Sequence, residues 1–389
     1  MSFKAHFGRF LAADPERLHF AAHSHHLWPD VTFEAQQRCW NDAARLADRK
    51  WEAVFGEVYP AAQRHVARAL GLSRPDTVAF GPNTHGFLLR LLSCLPPGQT
   101  IRVLTTDGEF HSFARQVRRL EEDGLAEIVR VPAKPFASFA ERFAEQAGRG
   151  GHDLIYFSQV FYNSGYAVPD IAALVGAVAD EEALVAVDGY HGFMALPTDL
   201  SKIESRAFYL AGGYKYVMAG EGVAFLHAPS GQGLRPRDTG WFAAFAALER
   251  GGRGEVAYGP EGARFLGATF DPVGLYRLNA VMEWLASLDL SVADIHQRVQ
   301  ALQADFVARL AGLGLASLRP DQLLVPLSEP NRGHFLTFRT QDAEAIHRRL
   351  LAAKVITDVR GDRLRLGFGL YHDGEDIERL IGVLARELS

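Results

Sequence analysis

Two residues near the middle of the chain have the type and setting for joint chemistry, Asp188 and Lys215. Asp188 ends the apolar run LVAV (184–187). Lys215 follows the small-residue turn AGG (211–213), sits between Tyr214 and Tyr216, and precedes Gly220, Gly222 and a second apolar run. Both runs read as buried strands, so the carboxylate and the amine stand at strand ends and can converge on one ligand. That pairing suits pyridoxal phosphate. An amine condenses with its aldehyde, and a carboxylate keeps its pyridine nitrogen protonated so that the ring accepts electrons. Lysine is scarce here: only Lys4, Lys50, Lys134, Lys202 and Lys354 accompany Lys215, which narrows the search for a reactive amine.

The elements that must hold these residues alternate. Short β-rich runs (TVAF 77–80, IRVLTTD 101–107, AEIVRVPA 126–133, DLIYFS 153–158, LVAVD 184–188) are separated by helical patterns. This alternation predicts an α/β fold with a mostly parallel central sheet and helices on both faces. Ligands of such sheets sit at the carboxyl ends of the strands. Thr84, Phe110, Ser158, Asp188 and Lys215 all fall at or just after predicted strand ends, which puts them on one rim. GPNTHG (81–86) leads straight into an apolar helix, and the free N–H groups of such a helix start suit a phosphate. After Phe225 the pattern is irregular, and residues 239–272 read as long Gly-rich and aromatic loops over a site or a dimer interface. The end of the chain reads as a smaller α+β C-terminal domain. The predicted division is an N-terminal segment 1–25 packing on the small domain, a large cofactor-binding domain 26–284, and a small domain 285–389.

Whole-chain properties exclude several classes. At 389 residues, with 48% hydrophobic and 22% charged residues, the composition is that of a soluble globular protein of about two domains. A net charge of -5 gives no reason to expect nucleic acid or an anionic membrane as partner. No apolar run approaches the ~20 residues of a membrane span, and the charged N-terminus is not a secretory signal. Cys39 and Cys94 suggest neither a disulfide framework nor a zinc site, so a cytoplasmic location is expected. HSHHLWPD (23–30) brings three histidines together without matching carboxylate or cysteine spacing. It reads as a loop lining a ligand site rather than a metal centre.

The motifs resemble those of fold-type I pyridoxal-phosphate enzymes of the class V aminotransferase group, and within it kynureninase. DGYH (188–191) resembles that family's D-x-x-H, and GGYKY (212–216) its lysine motif. TGW (239–241) resembles its G-W, and LRLGFGLYHD (364–373) its arginine segment. The resemblance covers most of the chain and implies a pyridoxal-phosphate transferase-like fold. It makes Lys215 the residue that binds the cofactor and moves the Cα proton, and Asp188 the partner of the ring nitrogen. His191 is placed at the phenolic oxygen or a substrate carboxylate. Tyr214 is placed at the phosphate and as a proton donor, with Asn83 and Thr84 in the phosphate turn. Phe110 becomes the stacking ring, with His111 as the other candidate, and Ser158 lies before the loop to Ser164 and Gly165. Trp241 and Thr269 occupy a region that in relatives reaches the phosphate, in part across a dimer. Arg365 matches the arginine that grips a substrate α-carboxylate, a role suited to its forked donors. A cross-strand ion pair is the plainer reading for Arg363, less so for Arg365. HSHHLWP replaces the family's asparagine-rich substrate loop, which makes His25 and His26 candidate substrate contacts.

The implied reaction is Cβ–Cγ hydrolysis of kynurenine or a related amino acid, releasing alanine. Transamination of another amino acid is the alternative. A desulfurase would need a nucleophilic cysteine on a mobile loop of the second domain, and both cysteines lie on helices far upstream. The expected partners are a small amino acid substrate and a second copy of the chain, with the site at the interface.

Overall fold

The structure, a computed structural model, describes residues 2–250 and 254–389. In chain order the strands are β1 (Leu18–His19), β2 (Val78–Gly81), β3 (Ile101–Thr106), β4 (Ala126–Val131), β5 (Leu154–Ser158), β6 (Leu184–Asp188), β7 (Ala207–Gly212), β8 (Ala224–His227), β9 (Phe335–Arg339), β10 (Val355–Ile356), β11 (Asp358–Arg360) and β12 (Arg363–Gly367). Seven of them form the central sheet in the order β2-β8-β7-β6-β5-β3-β4. Strands β4, β3, β5, β6 and β7 are parallel, and β8 is antiparallel to both of its neighbours.

The residue pattern explains this arrangement. β5 and β7 are buried along their whole length, and β6 is buried up to Asp188. Such uninterrupted apolar runs fit strands covered on both faces. β4, at the sheet edge, is partly exposed. The helix after β2, Thr84–Cys94, starts where the Asn83 side chain accepts the Gly86 N–H at 2.9 Å. A cap of this kind contributes about 1 kcal/mol. Tyr59–Leu70 stops at Gly71, whose φ of 67° favours glycine.

The smaller sheet has the order β11-β12-β9 and is antiparallel. It packs with the helices Ala343–Ala352 and Gly374–Leu388 around Phe306, Phe338, Leu350, Leu364 and Leu380. β1 pairs in parallel with β10, which carries Leu18 and Phe20 into this second core. Phe3 and Phe7 join the larger core instead, so the N-terminal segment packs on both. The helix Val273–Ser287 buries Leu275, Leu278 and Leu285 in the large core. The next helix, Val292–Leu313, starts with a Ser291–Asp294 capping box and passes Val299, Phe306 and Leu310 to the small one. We propose the division 1–25, 26–284 and 285–389 with that helix pair as the junction.

The stretch read as loops contains two 3₁₀ segments, Trp241–Arg250 and Glu261–Phe265. Residues 251–253 of that stretch, and Met1 of the N-terminal segment, lie outside the described residues.

Candidate active site

The sheet topology brings the strand ends together. Ser158 and Asp188 are register partners on parallel β5 and β6, and Lys215 follows three residues after β7. One cleft is lined by Asn83, Thr84, Phe110, Ser158, Asp188, His191, Tyr214 and Lys215. Eight of the expected site residues therefore meet on one wall system, contributed by five separate strand–loop junctions.

Lys215 is buried, 5% exposed. Its Nζ lies 3.0 Å from His191 Nε2, 4.6 Å from the centre of the Tyr190 ring and 5.4 Å from that of Phe110. Burial pulls its amine down to about 7, with Asp188 opposing and the Arg365 charge adding to the fall. Desolvation disfavours the charged form, so the amine holds its lone pair near neutral pH. His191 Nε2 is also 3.2 Å from the His23 carbonyl. One nitrogen thus serves two partners in turn: it accepts from Lys215 in one tautomer and donates to His23 in the other. Burial holds His191 well below its ordinary value, so it stays neutral.

Asp188 accepts from the Tyr156 hydroxyl and from the Tyr190 N–H, each at 2.9 Å. Both donors are neutral, and burial raises the carboxyl above the usual range. A buried carboxylate held only by neutral donors is suited to a cationic ligand atom. The Phe113 ring lies flat on Tyr156, centroids 3.7 Å apart, and fixes the tyrosine that fixes Asp188. The Tyr190 and Tyr214 rings pack together, centroids 4.9 Å apart. Gly212 is required here, since a Cβ would fall 2.1 Å from the Tyr190 hydroxyl. Ser158 Oγ donates to Glu109 Oε2 at 2.5 Å, and Glu109 Oε1 also accepts from Thr106 Oγ1 at 2.6 Å and the Ser158 N–H at 3.1 Å. Burial pushes Glu109 up to about 7.

Other expected residues lie outside the cleft wall. His25 is at its edge, stacked on Tyr214 with centroids 5.1 Å apart and 3.6 Å from Glu221. His26 is turned away from the cleft, buried against Tyr371 and Phe7, with Nδ1 2.7 Å from the Leu27 carbonyl oxygen. His23, not among the candidate contacts taken from that loop, is buried within electrostatic reach of Arg365 and Lys215. Trp241 is 43% exposed and donates Nε1–H to Thr269 Oγ1 at 3.2 Å. Arg365 corrects one expectation. It carries the cross-strand ion pair, with Asp358 on β11, and its Nη1 donates to the Tyr162 carbonyl. Arg363 instead lies 3.8 Å from Asp362. His111 is 3.4 Å from the Tyr162 hydroxyl rather than stacked in the cleft.

Tyr156, Tyr190, Tyr162, Glu109 and Asp358 were not singled out by sequence. Tyr156 had a signal: it is two residues before Ser158 on one strand, hence on the same face. Asp358 had none, because its partner comes from another strand.

The class V aminotransferase family matches residues 43–380. The chain belongs to that family. A class V aminotransferase-family enzyme depends on pyridoxal 5′-phosphate and acts on amino acids. The donor set fits that cofactor: a lone-pair amine, an unpaired carboxylate, an aromatic ring and a capped helix start share one cleft. The relatives differ in activity. They include a probable cysteine desulfurase of Vibrio cholerae (23% identical, 72% of this chain and 70% of that one). A kynureninase of Deinococcus radiodurans is 25% identical over 90% of this chain and 82% of its own. An isopenicillin N epimerase of Streptomyces clavuligerus is 28% identical over 90% of each. Among solved structures, the cystine C–S lyase C-DES shares the fold, with a TM-score of 0.82 at 20% identity over 98% of this chain and 100% of that one. No helix among the described residues is long and apolar enough to cross a membrane.

Proposed function

We propose that this enzyme hydrolyses the Cβ–Cγ bond of kynurenine or a closely related amino acid, releasing alanine. The observation that carries the reading is the buried Lys215 amine, 3.0 Å from His191 and in one cleft with Asp188. Bound there, the cofactor supplies an electron sink for the substrate Cα. Lys215 takes the Cα proton, and its lowered basicity leaves it free to do so near neutral pH. Asp188 would hold the proton of the pyridine nitrogen, Asn83, Thr84 and the N–H groups that open Thr84–Cys94 would hold the phosphate, and Phe110 would cover the ring. Tyr214, packed against Tyr190, is the proposed donor of the proton to Cβ. Arg365 takes the substrate α-carboxylate, and His25 edges the substrate mouth. One water is consumed: its oxygen ends in the aryl carboxylate, one proton is added to the alanine Cβ, and the proton that Lys215 took from Cα is returned there.

The cysteines support this choice over desulfuration through a protein thiol. Neither lines the cleft, and burial raises the thiol of Cys39 and pushes that of Cys94 up to about 12. A thiolate is the reactive form, so neither is suited to attack. Exposed Trp241 and Phe245, 43% and 47% exposed, support a homodimer whose second copy covers this side of the molecule.

The test is a product assay with the cofactor-loaded enzyme and kynurenine or 3-hydroxykynurenine. Alanine and the matching anthranilate in equal amounts are expected. A 2-keto acid without alanine favours transamination instead. Inertness toward both, with turnover of cysteine or cystine, favours C–S cleavage.

A further inference from the structure

Arg365 is 3% exposed, and burial lowers its guanidinium to about 10. Its Nη2 is taken by Asp358 and its Nη1 by the Tyr162 carbonyl, while Nε is buried without a hydrogen-bond partner among the described residues. Tyr162 lines the cleft but Arg365 does not. A substrate carboxylate that reached Arg365 past Tyr162 would meet an arginine already neutralised by a carboxylate of its own chain.

The surroundings of Asp358 offer it somewhere else to go. Its Oδ2 is 3.5 Å from His23 Nε2, and its Oδ1 is 3.6 Å from Arg360 Nη1. His23 is 1% exposed and stacked on Phe335 with centroids 4.6 Å apart, and neither of its ring nitrogens has a hydrogen-bond partner among the described residues. A buried imidazole with no bond is costly, and a short movement of Asp358 would satisfy it. The His23 carbonyl is bonded to His191, which touches Lys215, so the loop carrying His23 is tied to the reactive amine.

We propose that Asp358 is a specificity-determining placeholder: a substrate carboxylate displaces it from Arg365, and His23 with Arg360 receives it. The inference rests on the reading of Arg365 as the carboxylate-binding residue. Asp358 acts through Arg365 and is a positioning residue. Its competition lowers the affinity for every carboxylate ligand and leaves ligands without one unaffected.

The test uses the cofactor-loaded enzyme titrated with L-alanine, and with ethylamine as the probe lacking a carboxylate, both read by the cofactor absorption band. Asp358→Asn removes the competing charge and leaves Arg365 a buried, unpaired cation. Its melting temperature should fall. L-alanine should bind about tenfold more tightly than to the wild type and ethylamine within about twofold. The L-alanine-induced rise in melting temperature should exceed that of the wild type. Unchanged or weaker L-alanine binding overturns the exchange. If that variant does not fold, His23→Phe keeps the ring stack but removes the receiver, and it should weaken L-alanine but not ethylamine. Equal effects on both probes overturn the proposal. Arg365→Ala separates the two layers. If it weakens L-alanine while Asp358→Asn fails to tighten it, only the exchange falls. If it leaves L-alanine unchanged, the carboxylate-binding reading falls as well.

Discussion

At the residue scale, Lys215 decides what the site can do. Its neighbours act in opposite directions: burial and Arg365 lower its basicity, and Asp188 raises it, with burial winning. Lys215→Ala should abolish the visible absorption band that the loaded enzyme shows, and an unchanged spectrum would overturn the assignment. The amine is uncharged above its value of about 7 and charged below it. Loading of cofactor onto the empty chain should therefore speed up as pH rises from 6 to 8, followed by stopped-flow absorbance. A rate flat across that range would contradict the buried amine of lowered basicity.

At the element scale, the site depends on how a strand end hands over to the next turn. Asn83 caps Thr84–Cys94 through the Gly86 N–H and also stands in the cleft wall. Replacing Asn83 with Ala should cost about 1 kcal/mol of stability through the lost cap. The same change should loosen cofactor binding several-fold, because the helix start frays where a phosphate would sit. Denaturant melts and a cofactor titration separate the two effects, and a stability loss with unaltered cofactor affinity would remove this turn from the site. Gly212 shows a different dependence: Gly212→Ala would drive a Cβ into the Tyr190 hydroxyl, 2.1 Å away. That variant should lose both stability and the Tyr190–Tyr214 contact.

At the scale of the whole molecule, the buried histidines set the response to acid. Burial holds His19 at about 3 and His26 at about 4, and keeps His23, His191, His334 and His372 well below the ordinary 6.5. In the unfolded chain these groups take up protons as pH falls through about 6.5, while the folded chain does not. Stability is therefore present above 6.5 and lost below it, at up to about 1.4 kcal/mol per pH unit for each group. Glu109, Asp188 and Asp376, raised by burial, work the other way, but three groups do not offset six. The urea midpoint should drop clearly between pH 7 and pH 5.5. A midpoint that holds or rises would show that these histidines are not buried as described.

The sequence by itself determined the reactive pair, the alternation of strands and helices, and the rim on which Thr84, Phe110, Ser158, Asp188 and Lys215 meet, to which the family resemblance added Asn83, His191 and Tyr214. These were legible because each follows a strand end, and a parallel sheet aligns its strand ends without further information. Period-two alternation could also have reached Tyr156. The tertiary structure alone decided the rest. Asp358 meets Arg365 because two strands pair in antiparallel register. His23 rather than His26 faces the arginine because the direction of a loop side chain is set by what packs around it, here Phe335 for one and Tyr371 for the other. Local pattern carries no record of such distant partners, so the residues that tune the site came into view only when the chain was folded.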